Sequence, residues 1–194
     1  DSNQQDIVGA SVAASATEVT VTRRSISETS GKQKDPAVIV VGTDYLVAWT
    51  DRRNYPVSAG DIYGTRVSGA DGTVIDGNGF VIHEGEVSQK EVTLTYDGEK
   101  VWAVWREWQD DTWLGEGSLL GGTTFSLGSG GPTVGESFAV DANASTHQQP
   151  ALVFDDGSLV LTWLDNRAGA GRQDLYSKVI HLDGAGDSDA LTEA

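Results

Sequence analysis

An all-β fold assembled from repeated four-stranded antiparallel sheets is what the sequence predicts. Three observations carry this: one phrase recurs at a spacing of about 57 residues, each recurrence holds four strand signals, and no segment shows the apolar period of an amphipathic helix. The phrase is plainest in Tyr45–Asn54 (YLVAWTDRRN) and Leu159–Ala168 (LVLTWLDNRA). There apolar residues lead to a Trp, with Asp and Arg two and four positions later.

The elements follow in order. Residues 1–34 read as a half-blade, the third and fourth strands alone, because Asp6–Val12 (DIVGASV) aligns without a gap to Asp61–Val67 (DIYGTRV). Residues 35–89 form a whole unit: AVIVV, a turn at GTD, YLVAWT with Trp49, then DIYGTRV and GFVIHE. Residues 90–149 form a divergent unit with VTLTY, a turn at DGE, KVWAVW with Trp105, and ESFAVD. Residues 150–194 repeat the pattern with ALVFD, DDG, SLVLTW with Trp163, DLYSKVI and DALTEA. Pro36-Ala37 and Pro150-Ala151 precede their Trp by the same interval. The segments are short, β-branched and aromatic, and 24 Gly against four Pro suit tight turns between strands. Four antiparallel strands at this period make one blade of a β-propeller. The chain therefore reads as about three and a half repeats, together one propeller domain or part of one.

Composition narrows the function. A net charge of −16 repels phosphate backbones and anionic lipid, so neither nucleic acid nor a membrane surface is an expected partner. No apolar run approaches the roughly 20 residues that a membrane span needs. With no Cys there is no disulfide, thiol catalysis or thiolate-bound metal, and the absence of Cys and Met suits a secreted or cell-surface setting. No signal peptide is legible. The chain begins at Asp1, so an earlier segment is expected to have been removed or to lie outside the sequence.

Trp49, Trp105 and Trp163 end the second strand of each unit, where a large ring fills the gap between twisted sheets. Asp51 with Arg53, and Asp165 with Arg167, alternate along extended chain and are expected to brace the turn that follows, with Asp61 and Asp174 as receivers of the returning Arg. A catalytic reading requires one unit to differ, and the middle one does. In WREWQDDTWLGEG, Glu107 replaces the Asp, Gln109 replaces the Arg, and the D-[IL]-Y phrase is gone. Trp108 and Trp113 stand there beside Asp110, Asp111 and Glu116. A ring that stacks on a pyranose and carboxylates that bind its hydroxyls would form a sugar platform; the plainer alternative is that both rings cover a gap between blades or a subunit contact. The carboxylates could also serve as a glycoside-cleaving pair. His83, His147 and His181 show no metal-ligand spacing and read as solvated or structural. No cofactor is expected; Leu182–Ala190 (LDGAGDSDA) could hold calcium but lacks the EF-hand order and reads as a turn. Asn143-Ala144-Ser145 is a glycosylation sequon.

The P-A-V, apolar-x-W-x-D-x-R and D-[IL]-Y phrases resemble the repeats of secreted bacterial β-propeller proteins, which sit loosely beside the sialidase-like propellers. The resemblance covers nearly the whole chain. It implies a fold and leaves activity open. The sialidase Asp-box, S-x-D-x-G-x-T-W, is absent, with only a distant echo in Ser68–Val74, so sialidase activity is not implied. The function expected is an extracellular non-catalytic module for binding or assembly, its ligand a glycan or a partner protein. One alternative is a polysaccharide-active hydrolase or lyase subunit that uses residues 107–116; another is a structural surface or filament subunit. A half-unit also implies an unpaired sheet edge, and so another protein chain that completes the propeller, or self-assembly.

Overall fold

The computed structural model describes residues 4–15, 17–111, 115–167, 169 and 172–182. All of the regular structure among them is β. The strands are β1 (Ile7–Ala14), β2 (Val19–Ser27), β3 (Gln33–Val41), β4 (Asp44–Asp51), β5 (Asp61–Val67), β6 (Phe80–His83), β7 (Ser88–Tyr96), β8 (Val101–Asp111), β9 (Gly115–Gly128), β10 (Gly131–Val134), β11 (Phe138–Ser145), β12 (Gln148–Asp155), β13 (Ser158–Asp165) and β14 (Asp174–His181). They make four antiparallel sheets: β1-β2 (sheet 1), β3-β4-β5-β6 (sheet 2), β7-β8-β9 with β10 and β11 (sheet 3), and β12-β13-β14 (sheet 4). No helix among the described residues is long and apolar enough to cross a membrane.

Local chemistry sets the hairpins. The β3–β4 turn passes through Gly42 and the β12–β13 turn through Gly157, both at positive φ, where glycine carries no Cβ penalty. The β7–β8 turn is closed by Asp97, whose Oδ1 accepts the backbone N–H of Glu99 at 2.8 Å and of Lys100 at 2.6 Å. Sheet 3 departs from the simple four-strand pattern. Its third strand, β9, is 14 residues long and pairs with two short strands end to end, β10 at its far end and β11 nearer its start. Sheet 4 has three strands among the described residues; the DALTEA segment expected as its fourth lies outside them.

The sheets stack face to face, and the core lies between them. Trp49, Tyr63 and Val67 of sheet 2 pack on Ile7 and Ile26 of sheet 1. Leu46, Ile62 and Ile82 of sheet 2 meet Leu94, Val101 and Trp105 of sheet 3. Val104, Leu120 and Val140 of sheet 3 meet Leu161 and Trp163 of sheet 4. Trp49, Trp105 and Trp163 thus hold one position in three successive sheets, with 0%, 0% and 4% exposure. Burial of such large rings is the main stabilising term at each interface.

A bulge recurs as well. The first strand of each of these three sheets carries one extra residue opposite that Trp: the pairing slips between Lys34 and Ala37, Lys90 and Thr93, and Gln148 and Ala151. Asp35, Glu91 and Gln149 sit at the slip with φ of 53°, 56° and 50°. Before each bulge a polar side chain turns inward: Gln33, Gln89 and His147 are all buried.

Candidate active site

Antiparallel pairing brings the end of the second strand, the start of the first, and the end of the preceding sheet's outer strand to one end of each sheet. Three versions of one polar cluster form there. In sheet 2, Trp49 Nε1 donates to Asp51 at 2.8 Å, and Arg53 donates to the same carboxylate through its backbone N–H (2.8 Å) and its guanidinium (2.7 Å). Arg53 lies 3.8 Å over the Tyr63 ring. In sheet 4, Trp163 Nε1 donates to Asp165 at 3.1 Å, and the Arg167 guanidinium bridges Asp165 and Asp141 over the Tyr176 ring. Burial raises the Asp165 carboxyl, but hydrogen bonds from Arg167 and Trp163 outweigh it and hold the group well below the usual carboxylate range. The Asp and Arg of each phrase therefore brace their own turn. Asp61 and Asp174 do not receive the phrase's Arg: Asp61 accepts from Ser58 (2.6 Å) and Asn54 (3.1 Å), and Asp174 from Arg172 (3.2 Å). The Arg reaches its acid two residues back without crossing the loop.

The middle version is built differently. Trp105 Nε1 donates to Glu107 Oε1 at 3.2 Å, and no Arg stands at position 109 to clamp it. His83, from the outer strand of sheet 2, stacks on Trp105 at 4.6 Å and brings Nε2 to 3.5 Å from Glu107 Oε1. Its Nδ1 lies 2.9 Å from Ser137 Oγ. Burial lowers the His83 pKa, against the pull of Glu107, Asp61 and Glu84, so the ring is neutral at pH 7. A carboxylate only accepts, which favours hydrogen on Nε2 and leaves Nδ1 to accept from the Ser137 hydroxyl. Glu84, next in chain, takes a 2.8 Å bond from the Tyr63 hydroxyl and one of 3.3 Å from Asn54. Burial and then Glu84 raise the Tyr63 pKa, which keeps the phenol a donor. Where sheet 2 has Tyr63 opposite its Trp, sheet 3 has Gly121 opposite Trp105; a Cβ there would stand 2.8 Å from Trp105 Nε1 and 3.1 Å from Glu107 Oε1. Exposure separates the three acids: the side chains of Asp51 and Asp165 are 0% exposed and that of Glu107 is 23%.

The other residues singled out in the sequence fall as follows. Residues 107–111 belong to β8 and Glu116 to β9, so the stretch expected as a loop is two arms of a hairpin, with Asp110 opposite Glu116 in register. Trp113 lies outside the described residues, as does nearly all of the calcium-loop candidate 182–190. The Trp108 ring is half-buried and covered by cations, with Arg106 at 4.5 Å and Lys90 at 5.3 Å. His147 is not solvated. It lies 3.4 Å from Asp141 and 3.5 Å from Asp165, a cluster with the donor types of a metal site. The Arg167 guanidinium already supplies the cation between those carboxylates.

His83, Glu84, Gln89, Asp141 and His147 were missed as site residues. One signal was available: Phe80–His83 and Phe138–Asp141 occupy the same place in successive units, so His83 and Asp141 are equivalent. The bulge that turns Gln89 and His147 inward has no such mark, because non-glycine residues adopt it.

No protein-family model and no curated protein sequence matches the chain. Solved structures do share its fold. An α-L-arabinofuranosidase from Lactobacillus brevis is similar with a TM-score of 0.58 and 10% identity, over 82% of this chain and 56% of that one. A family 117 glycoside hydrolase from Zobellia galactanivorans gives 0.52 and 13%, over 76% and 51%. An α-L-arabinanase from Penicillium chrysogenum gives 0.50 and 11%, over 87% and 58%. The chain spans about half the length of these structures. The fold is thus an all-β, propeller-type stack of antiparallel sheets. The comparison also corrects one expectation: the non-catalytic binding or assembly module gives way, because these three similar structures are glycoside hydrolases.

Proposed function

We propose that this chain is the propeller module of a polysaccharide-active hydrolase that works outside the cell, with Glu107 as a carboxylate of its reaction centre. One observation carries the reading. Of the three acids at the equivalent strand end, Glu107 alone reaches solvent and stands in a unit without the clamping Arg; it also faces the His83 ring. Glycoside cleavage needs two carboxylates, one to pass a proton to the leaving oxygen and one to activate water or attack the sugar. Glu84, next in chain to His83 and held by Tyr63 and Asn54, is the second candidate here.

Two of the similar structures are named for arabinose-containing substrates, so arabinan is the first polymer to test. The experiment follows release of reducing ends from a polysaccharide panel by the purified chain and by Glu107→Gln. Activity in the parent with loss of about 100-fold or more in the variant, at an unchanged melting temperature, is expected. A parent that binds and cleaves nothing on the panel overturns the reading. So does a variant as active as the parent.

A further inference from the structure

The edge of sheet 1 carries an inference that is independent of the catalytic reading. We propose that sheet 1 is the outer half of a blade, and that the cleft beside it docks a β-hairpin of a partner polypeptide built on the pattern of β3–β4. The cleft has a volume of about 670 Å³. The β1 edge (Val8, Val12) forms one wall; Pro36, Val38, Tyr45 and Val47 of sheet 2 form the floor.

Equivalent positions show what the cleft lacks. Val38 of β3 and Leu94 of β7 occupy the same place, five residues after the inward Gln33 and Gln89. Leu94 is 5% exposed because the inner strands of sheet 2 cover it, whereas Val38 is 63% exposed. Val40, two residues on, is 60% exposed. Sheet 1 places no inner strands over them among the described residues. The strand edge agrees. β1 aligns with β5, which pairs on both sides, to β4 and β6; among the described residues β1 pairs with β2 alone. Among those residues its other edge presents backbone donors and acceptors with no strand beside them.

The sheet 2 register fixes how the hairpin would lie. Trp49 stands opposite Tyr63 and Asp51 opposite Asp61, so an incoming W-x-D strand would set its Trp opposite Val8 and its Asp opposite Asp6. Backbone pairing to the free edge supplies affinity, and apolar side chains over Val38 and Val40 supply specificity, the usual division in strand addition. The outer face of sheet 1 bears Val8, Val12, Val19 and Val21 at 53–64% exposure, so the partner continues into a further sheet that covers them. The similar solved structures, of which this chain spans 51–58%, hold that much additional chain.

The test uses a fluorescein-labelled synthetic peptide of residues 147–167, the chain's own W-x-D hairpin. Saturable binding is expected, with hydrogen-exchange protection appearing at residues 8–12. Val38→Asp should weaken binding by about tenfold or more, while Val153→Asp, on an exposed site of sheet 4, should leave it unchanged. Absence of both binding and protection overturns the proposal, as does binding that Val38→Asp does not affect. Mass measurement adds a further outcome: a dimer that Val38→Asp dissociates would assign the cleft to a second copy of this chain and reject the hairpin.

Discussion

Sheets 3 and 4 carry the same cluster at the same strand end and use it differently. In sheet 4 the acid is Asp165, buried, bonded to Trp163 and gripped by Arg167, with Asp141 and His147 packed around the pair. In sheet 3 the acid is Glu107, one methylene longer, bonded to Trp105, partly open to water and facing His83. A carboxylate whose acceptor sites are filled by an internal cation holds a turn. A carboxylate left half-open at the same place can meet a substrate. The replacements at positions 107, 109 and 121 make the difference, and they depend on one another. Without Gly121 the longer acid has no room, and with Arg at 109 it would be clamped.

The largest expected break in this comparison is at the Trp itself. Trp163→Ala should cost roughly 3–5 kcal/mol in a urea titration, and Trp49→Ala a similar amount, the usual loss for a buried large aromatic. Next comes Arg167→Ala, which leaves Asp141 and Asp165 without their cation. Its guanidinium is about a third exposed, so the loss should be about 2 kcal/mol, below the range for a fully buried pair. Asp51→Asn should instead leave Arg53 its bond to the Asn78 carbonyl and cost less. Gly121→Ala sharpens the contrast: its Cβ would press on Trp105 and Glu107, with a stability loss of about 1–3 kcal/mol and displacement of the acid. Any activity should then fall further than stability alone explains.

The smallest effects are in pH. Asp165 has a folded pKa below its ordinary 3.8, so its contribution is complete above about pH 4 and is lost as pH falls below that. His83 has a folded pKa below its ordinary 6.5, because burial disfavours the charged ring. The unfolded chain binds that proton first, so stability is complete above about pH 6.5 and declines as pH drops below it. Thermal melts of His83→Gln should lose the decline near pH 6 and keep the one near pH 4. A variant that still shows the upper decline would assign it to another group.

Much of the architecture was legible because its cause is local. Trp49, Trp105 and Trp163 sit in apolar runs bounded by Gly and Asp turns, and the Asp–Arg spacing places both groups on one side of extended chain. The misread parts depend on a neighbouring sheet. His83 and Asp141 matter because the next sheet's Trp lies against them, and nothing within Phe80–His83 or Phe138–Asp141 says so. Trp108 reads as a free ring until Arg106 and Lys90 close over it from two strands. The loop expected at 107–116 became hairpin arms because β8 and β9 outrun the strands beside them, a property of pairing that residue type does not reveal.

The bulges opposite each Trp also act as a change of phase. A strand normally gives alternate residues to alternate faces for its whole length. One inserted residue lets β3, β7 and β12 keep one alternation for their apolar stretch and the opposite one for the polar residue before it. Gln89 and Leu94, five residues apart, thereby share the face that carries Glu107 and Ala103, whereas an unbulged strand of the same length would put them on opposite faces. The chemistry at that end of the molecule is therefore set by a count of residues as much as by their kind.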